Sequence, residues 1–158
     1  MYKTEAIITK VENFKENHLS ISVYSSEYGQ KSLVVFGGKS KKKNSTYVKG
    51  SLNNIEFDDN NVCLSSTSIN KFKWFLFSKY ELKTIEYFCF LINKLLFLAD
   101  QNSNIVSYYL LFISKLNERS NYLPELLLLE LEILKASGYQ PDLNAVSYTH
   151  LRAHETIV

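Results

Sequence analysis

The chain has 158 residues, of which 46% are hydrophobic, 22% charged and 14% aromatic, with 5 Gly, 2 Pro and 2 Cys. So much apolar surface excludes a disordered chain, so few Gly and Pro exclude a collagenous or low-complexity one, and two cysteines cannot build a disulfide scaffold. The net charge of +2 is uneven: residues 1–49 carry nine Lys against four Glu, whereas residues 50–158 carry nine basic and twelve acidic groups. A basic front half joined to a mildly acidic back half reads as two modules, the first of them facing a polyanion.

Residues 1–65 read as short strands. Residues 4–11 form a β-branched run, and residues 19–24 alternate strictly, with Leu19, Ile21 and Val23 on one face and Ser20, Ser22 and Tyr24 on the other. The turn S-S-E-Y-G-Q, in which Gly29 suits a hairpin connection, leads into a strand over residues 31–36. Gly37 and Gly38 end that strand and open the cationic loop G-G-K-S-K-K-K-N-S. Weaker strands follow over residues 47–57 and 62–66, separated by the turn D-D-N-N. Five short strands in so little chain match a small closed or partly open barrel rather than a sandwich.

From about residue 68 the period changes to that of a helix. Ile85, Phe88, Cys89, Ile92, Leu95, Leu96 and Ala99 make one apolar stripe, and Val106, Tyr109, Leu110, Ile113 and Leu116 a second. Residues 126–134 are apolar over so wide an arc that the segment is expected to lie buried between other helices. Pro124 suits its first turn and Gly138 its C′ position, with Pro141 beyond. Residues 68–83 are ambiguous and are read as an early helix. Residues 146–158 show neither periodicity nor caps, and look like translated library-adaptor sequence; they are expected to be a non-native tail.

No catalytic or metal-binding grouping emerges. His150 and His154 are four apart, but no third ligand is near and the spacing reads as chance in the suspect tail. Cys63 and Cys89 lie far apart among apolar residues and read as buried, inert thiols. G-G-K-S is not a phosphate-binding loop, because the position that needs the first Gly holds Leu33. Asp58-Asp59 reads as a turn. No secretory signal is legible, since Lys3 and Glu5 precede any apolar run. The most apolar stretch, residues 87–99, is interrupted by Asn93 and Lys94 and falls short of the roughly 18 residues of a membrane span. A reducing, cytoplasmic location follows as the expectation.

What remains is the cationic segment. Lys39, Lys41, Lys42, Lys43 and Lys49 surround Tyr47 beside a strand end, and Lys31 extends the stripe along the preceding strand. Mobile cations near an aromatic platform are what a nucleic-acid backbone and its bases require. A lysine loop that only keeps a sheet edge soluble is the bland alternative. For Tyr47, stacking on a base and packing on the barrel stand equally open.

The same residues carry a resemblance. The run S-V-Y-S-S-E-Y-G-Q-K-S-L-V-V-F-G-G-K-S-K-K-K resembles the start of the RecO family of bacterial recombination mediators: Glu27, Tyr28 and Gly29 match its E-x-G turn, and Gly37, Gly38, Lys39, Ser40 and Lys41 its Gly-basic loop. A second segment, L-L-L-L-E-L-E-I-L-K-A-S-G-Y-Q-P-D-L, is similar to that family's F-E-L-x-L-L-x-x-x-G-(Y/F)-x-P-x-L pattern through Leu129, Glu130, Leu131, Leu134, Gly138, Tyr139, Pro141 and Leu143. The likeness spans residues 1–145. It implies an α+β chain: a five-stranded OB-fold β-barrel that binds DNA (1–67), then an incomplete helical domain (68–145), with the suspected non-native tail (146–158). It further implies a C-terminally truncated, cytoplasmic, nucleoid-associated mediator of DNA repair without catalytic activity. Such a protein binds single- and double-stranded DNA, anneals strands and aids recombinase loading on DNA coated with single-strand-binding protein. Its partners would be a RecR-type protein and the C-terminal tail of single-strand-binding protein. No cofactor is expected, because the cysteine and C-x-x-C zinc arrangement of some relatives has no counterpart here. All cations of the loop are Lys, which contact phosphate as point charges and carry little sequence preference. The competing reading is a protein-interaction scaffold, with a structural barrel and a partner-docking helical module.

Overall fold

The computed structural model describes residues 1–69, 77–96 and 104–139. Five strands, β1 (Tyr2–Phe14), β2 (His18–Ser25), β3 (Gly29–Val35), β4 (Leu52–Phe57) and β5 (Cys63–Ser68), form one antiparallel sheet in the order β3-β2-β1-β4-β5. Its two edges meet at a parallel bridge between Val34 and Val62, where Val34 N donates to Asn61 O at 2.9 Å. The sheet thereby closes into a five-stranded barrel, which removes the free edges that would invite aggregation. A single helical turn, α1 (Lys41–Asn44), lies between β3 and β4. Three helices follow: α2 (Lys79–Leu95), α3 (Ile105–Asn117) and α4 (Leu123–Ala136). The expected OB-fold barrel followed by a helical region is the architecture found.

Closure depends on β1, which at 13 residues is twice the ordinary strand length and serves two partners. Residues 2–7 pair with β4 and residues 7–14 with β2, with a register shift between Ile8 and Lys10. The bulge at Thr9 bends the strand from one side of the barrel to the other. Alternation then sorts side chains to two cores. Ala6, Ile8, Leu19, Ile21, Val23, Leu33, Val35, Ile55 and Phe57 fill the barrel, whereas Ile7, Tyr24 and Leu52 point outward into a second cluster with Ile85, Phe88, Cys89, Ile92, Tyr109 and Phe112 of the helices. The barrel is thus buried on both faces where the helices cover it.

The polar heart of that contact is Asn93 on α2. Its Nδ2 donates to Thr9 O at 3.1 Å, and its Oδ1 accepts from Gln30 Nε2 at 3.0 Å. Thr9 Oγ1 lies 2.7 Å from Asn93 Oδ1 and 3.1 Å from Ser22 O, so its one proton serves one acceptor at a time. Asn93 therefore satisfies the carbonyl that the bulge removes from the ladder. Nearby, the Tyr109 hydroxyl donates to Gly50 O, tying α3 to the same region of the barrel.

Three expectations need correction. The strand expected over residues 47–57 begins only at Leu52, because Gly50 adopts a φ of 92° that no strand continues through. The helix expected from residue 68 begins at Lys79: Ser68 still belongs to β5, and a capping box sets the start. In it Glu81 N donates to Ser78 Oγ and Ser78 N to Glu81 Oε2. Residues 70–76 lie outside those described. Finally, α4 buries only Leu129 and Ile133, while Leu123, Leu127, Leu128 and Leu131 are exposed. Among the described elements, α3 and α2 make its main contacts. Its C-terminus does follow expectation. Gly138, at φ 93°, allows Gly138 N to reach Lys135 O and Tyr139 N to reach Leu134 O, a Schellman cap. Pro141, Leu143, the two tail histidines and residues 146–158 lie outside the described residues.

Replacing Asn93 by Ala leaves Thr9 O and Gln30 Nε2 without their partner in a part-buried site. The expected cost is about 2 kcal/mol, seen in urea as a lower midpoint with a single transition retained. An unchanged midpoint would show that the bulge does not depend on this side chain.

Candidate nucleic-acid interface

The cationic segment folds at one end of the barrel, and backbone constraints place it there. Gly38 packs against the core: a Cβ on it would lie 2.9 Å from Leu19 Cγ and 3.1 Å from Val35 Cγ1. The chain can therefore press onto the barrel end before it rises into α1. Gly37 N donates to His18 Nδ1 at 3.0 Å, and Lys39 N to Asn17 O at 3.4 Å, tying the loop to the β1–β2 turn. Because His18 Nδ1 accepts, the neutral imidazole carries its proton on Nε2.

On this frame the lysines take different stations. Lys39 Nζ donates to Lys15 O at 3.0 Å, and Lys43 Nζ to Phe36 O at 3.2 Å. Lys41 and Lys42 are exposed on α1, and successive residues on a helix point about 100° apart, so the three lysines of this turn fan out. The segment is thus one helical turn rather than a wholly irregular loop. The ion pairs among the described residues are Lys3–Glu56, Lys10–Glu12 and Lys49–Glu86, and none of them uses Lys39, Lys41, Lys42 or Lys43. Four cations at one rim therefore have no carboxylate partner among the described residues.

The other three sequence-selected residues stand apart. Lys49 lies 4.0 Å from Glu86 of α2, so it faces the helices and is partly neutralised. Lys31 shares the inward parity of Leu33 and Val35, and lines a cleft of about 300 Å³ with Tyr2, Tyr28, Phe57, Asp58, Asp59 and Asn61. Two carboxylates accompany it, and Tyr2 donates to Asp59 Oδ1 at 2.7 Å, which raises the Tyr2 phenol above its ordinary pKa. Asp58 does make the expected turn, with Oδ1 accepting from Asn60 N and Val62 N. Tyr47 is only 8% exposed, packs inside the barrel and sets its hydroxyl 3.7 Å from Cys63 Sγ. Burial raises its phenol far above the usual range, and the ring is not presented for stacking. Between the two alternatives left open for Tyr47, the geometry selects packing.

Sequence reasoning missed the aromatic groups that do stand at the rim. Phe36 is 53% exposed at the first position after β3, and its ring meets His18 edge-to-face at a centroid distance of 4.9 Å. Phe14, at the end of β1, carries Lys15 Nζ 5.4 Å above its ring. The signal was the strand period: Leu33 and Val35 point inward, so Phe36 must point out.

A closed five-stranded barrel with a cationic, aromatic rim, followed by helices, is an OB-type architecture. Residues 1–61 match the family described as Recombination protein O N terminal. The name of that family refers to recombination. No curated protein matches the chain. No helix among the described residues is long and apolar enough to cross a membrane. None of their His, Cys, Asp and Glu side chains gather in a group of three or more that could hold a metal.

Both cysteines are buried and unpaired. Burial pushes the Cys89 thiol up to about 12 and raises that of Cys63. Since only the thiolate reacts, neither should be modified by a disulfide reagent in the folded protein at about pH 8, and both should react in denaturant. Fast labelling of the native chain would contradict the packing of Tyr47 over Cys63.

Proposed function

We propose that this chain is a DNA-binding recombination mediator whose barrel rim holds the phosphate backbone. The observation that carries this reading is the set of Lys39, Lys41, Lys42 and Lys43 without carboxylate partners among the described residues, on a chain whose residues 1–61 match the recombination protein O N-terminal family. Cations already neutralised by protein carboxylates gain little from a phosphate; unpaired ones release the counterions condensed on DNA and gain the full entropy of that release. Ammonium groups carry no base information, so the rim binds both single- and double-stranded DNA with little sequence preference. Holding two strands by their backbones leaves base edges free, which is the condition for annealing complementary strands. In this reading the chain has no catalytic activity and needs no cofactor. It aids loading of a recombinase on DNA coated with single-strand-binding protein, in company with a RecR-type partner.

The scaffold reading has one observation in its favour, the exposed leucine face of α4. The two readings are compatible if the helical module docks the C-terminal tail of single-strand-binding protein while the barrel holds DNA. Salt separates them, because phosphate contacts weaken with ionic strength whereas apolar docking does not.

Replacing Lys41, Lys42 and Lys43 together by Ala removes up to three phosphate contacts. The slope of log affinity against log salt for a single strand should become shallower by about 2. A fluorescence-anisotropy salt titration of a labelled oligonucleotide measures this. Unchanged affinity and slope would return these lysines to the role of a solvated edge.

A further inference from the structure

Phosphate binding leaves one group at the rim unused. Of the exposed aromatic side chains on the barrel, Tyr2, Phe14 and Phe36, the first two are already engaged. Tyr2 stacks on Phe57 at 5.2 Å and donates to Asp59, whose carboxylate would repel an approaching phosphate. Phe14 has one face covered by the Lys15 ammonium and is the less exposed ring. Phe36 is the most exposed of the three, and its edge-to-face contact with His18 can cover at most one face of its ring. Its own backbone carbonyl accepts from Lys43, and Gly37 next to it is held by His18, so the Lys43 ammonium stands beside the backbone that carries the ring.

We infer that Phe36 is a stacking platform for an unpaired nucleobase, and that it makes the rim favour single-stranded over duplex DNA. The inference rests on the DNA-binding reading above and adds the form of the substrate. A base in a duplex is already stacked and paired, so it offers no free face to a protein ring; a base in a single strand does. With phosphates on the lysines of α1 and one base on Phe36, the single strand gains a contact that the duplex lacks. Every base has a π face, so this preference needs no particular sequence.

The test compares wild type, Phe36→Ala and Phe36→Leu on three labelled probes: a short oligothymidylate, a strand of the same length made of abasic sites, and a duplex. Both variants are expected to lose roughly tenfold or more in affinity for oligothymidylate, with an unchanged salt slope. Their affinity for duplex should stay within about twofold of wild type, since no phosphate contact is lost. On the abasic strand the difference between wild type and variants should vanish. Wild-type affinity of Phe36→Ala for oligothymidylate would overturn the inference. So would an equal loss on all three probes, which would mean that Phe36 only shapes the loop. Failure of the phosphate reading looks different: wild type would then bind none of the probes even at low salt.

Discussion

The bulge at Thr9 is the constraint on which the rest of the molecule depends. A strand of 13 residues without it would stay on one side of the sheet, and its first half could not pair with β4 while its second half pairs with β2. The bulge provides the bend at the cost of a backbone carbonyl left out of the ladder, and Asn93 supplies the missing donor from α2. One side chain thus couples barrel closure to helix docking. The shared apolar cluster, in which Ile7, Tyr24 and Leu52 meet Ile85, Phe88 and Ile92, docks the same helix beside that part-buried polar contact. Low local polarity strengthens such a network when it is satisfied and penalises it when it is broken.

The same strand positions the interface. Because β1 continues past the bulge to Phe14 and pairs it with His18, the β1–β2 turn stands at the barrel end where β3 finishes. His18 then holds Gly37, and Lys15 O holds Lys39. The lysines are consequently carried by a braced rim rather than a free tether, which in the proposed reading lowers the conformational entropy lost on engaging phosphates. Without carboxylate partners among the described residues, they make the rim a local positive field inside a chain whose net charge is only +2.

Much of this was legible in the sequence. Strict alternation in residues 19–24 gave the inward face of β2, and helical spacing gave most of the buried stripes of α2 and α3, although Leu95 is exposed and Ala99 lies outside the described residues. Pro124 and Gly138 marked the ends of α4 because their chemistry is local. What escaped was non-local. Tyr24 and Ile7 are outward residues by period, and only the arrival of the helices buries them. The fate of Tyr47 hinged on where the chain re-enters the barrel after Gly50, which periodicity does not reveal. Lys49 pairs with Glu86, a residue 37 positions away in sequence, which no local pattern announces. The width of the apolar arc on α4 was read correctly, but burial requires a neighbour, and a composition cannot supply one.

The central claim is that DNA lies on the rim built by Phe36, α1 and the β1–β2 turn. Amide chemical-shift mapping of the labelled chain during titration with oligothymidylate tests it most directly. Shifts concentrated in residues 15–18 and 36–43, with Tyr2, Tyr28 and the α4 leucines unmoved, are the result this account predicts. Shifts centred on the Tyr2–Tyr28–Phe57 cleft or on α4, with the lysine turn silent, would contradict it.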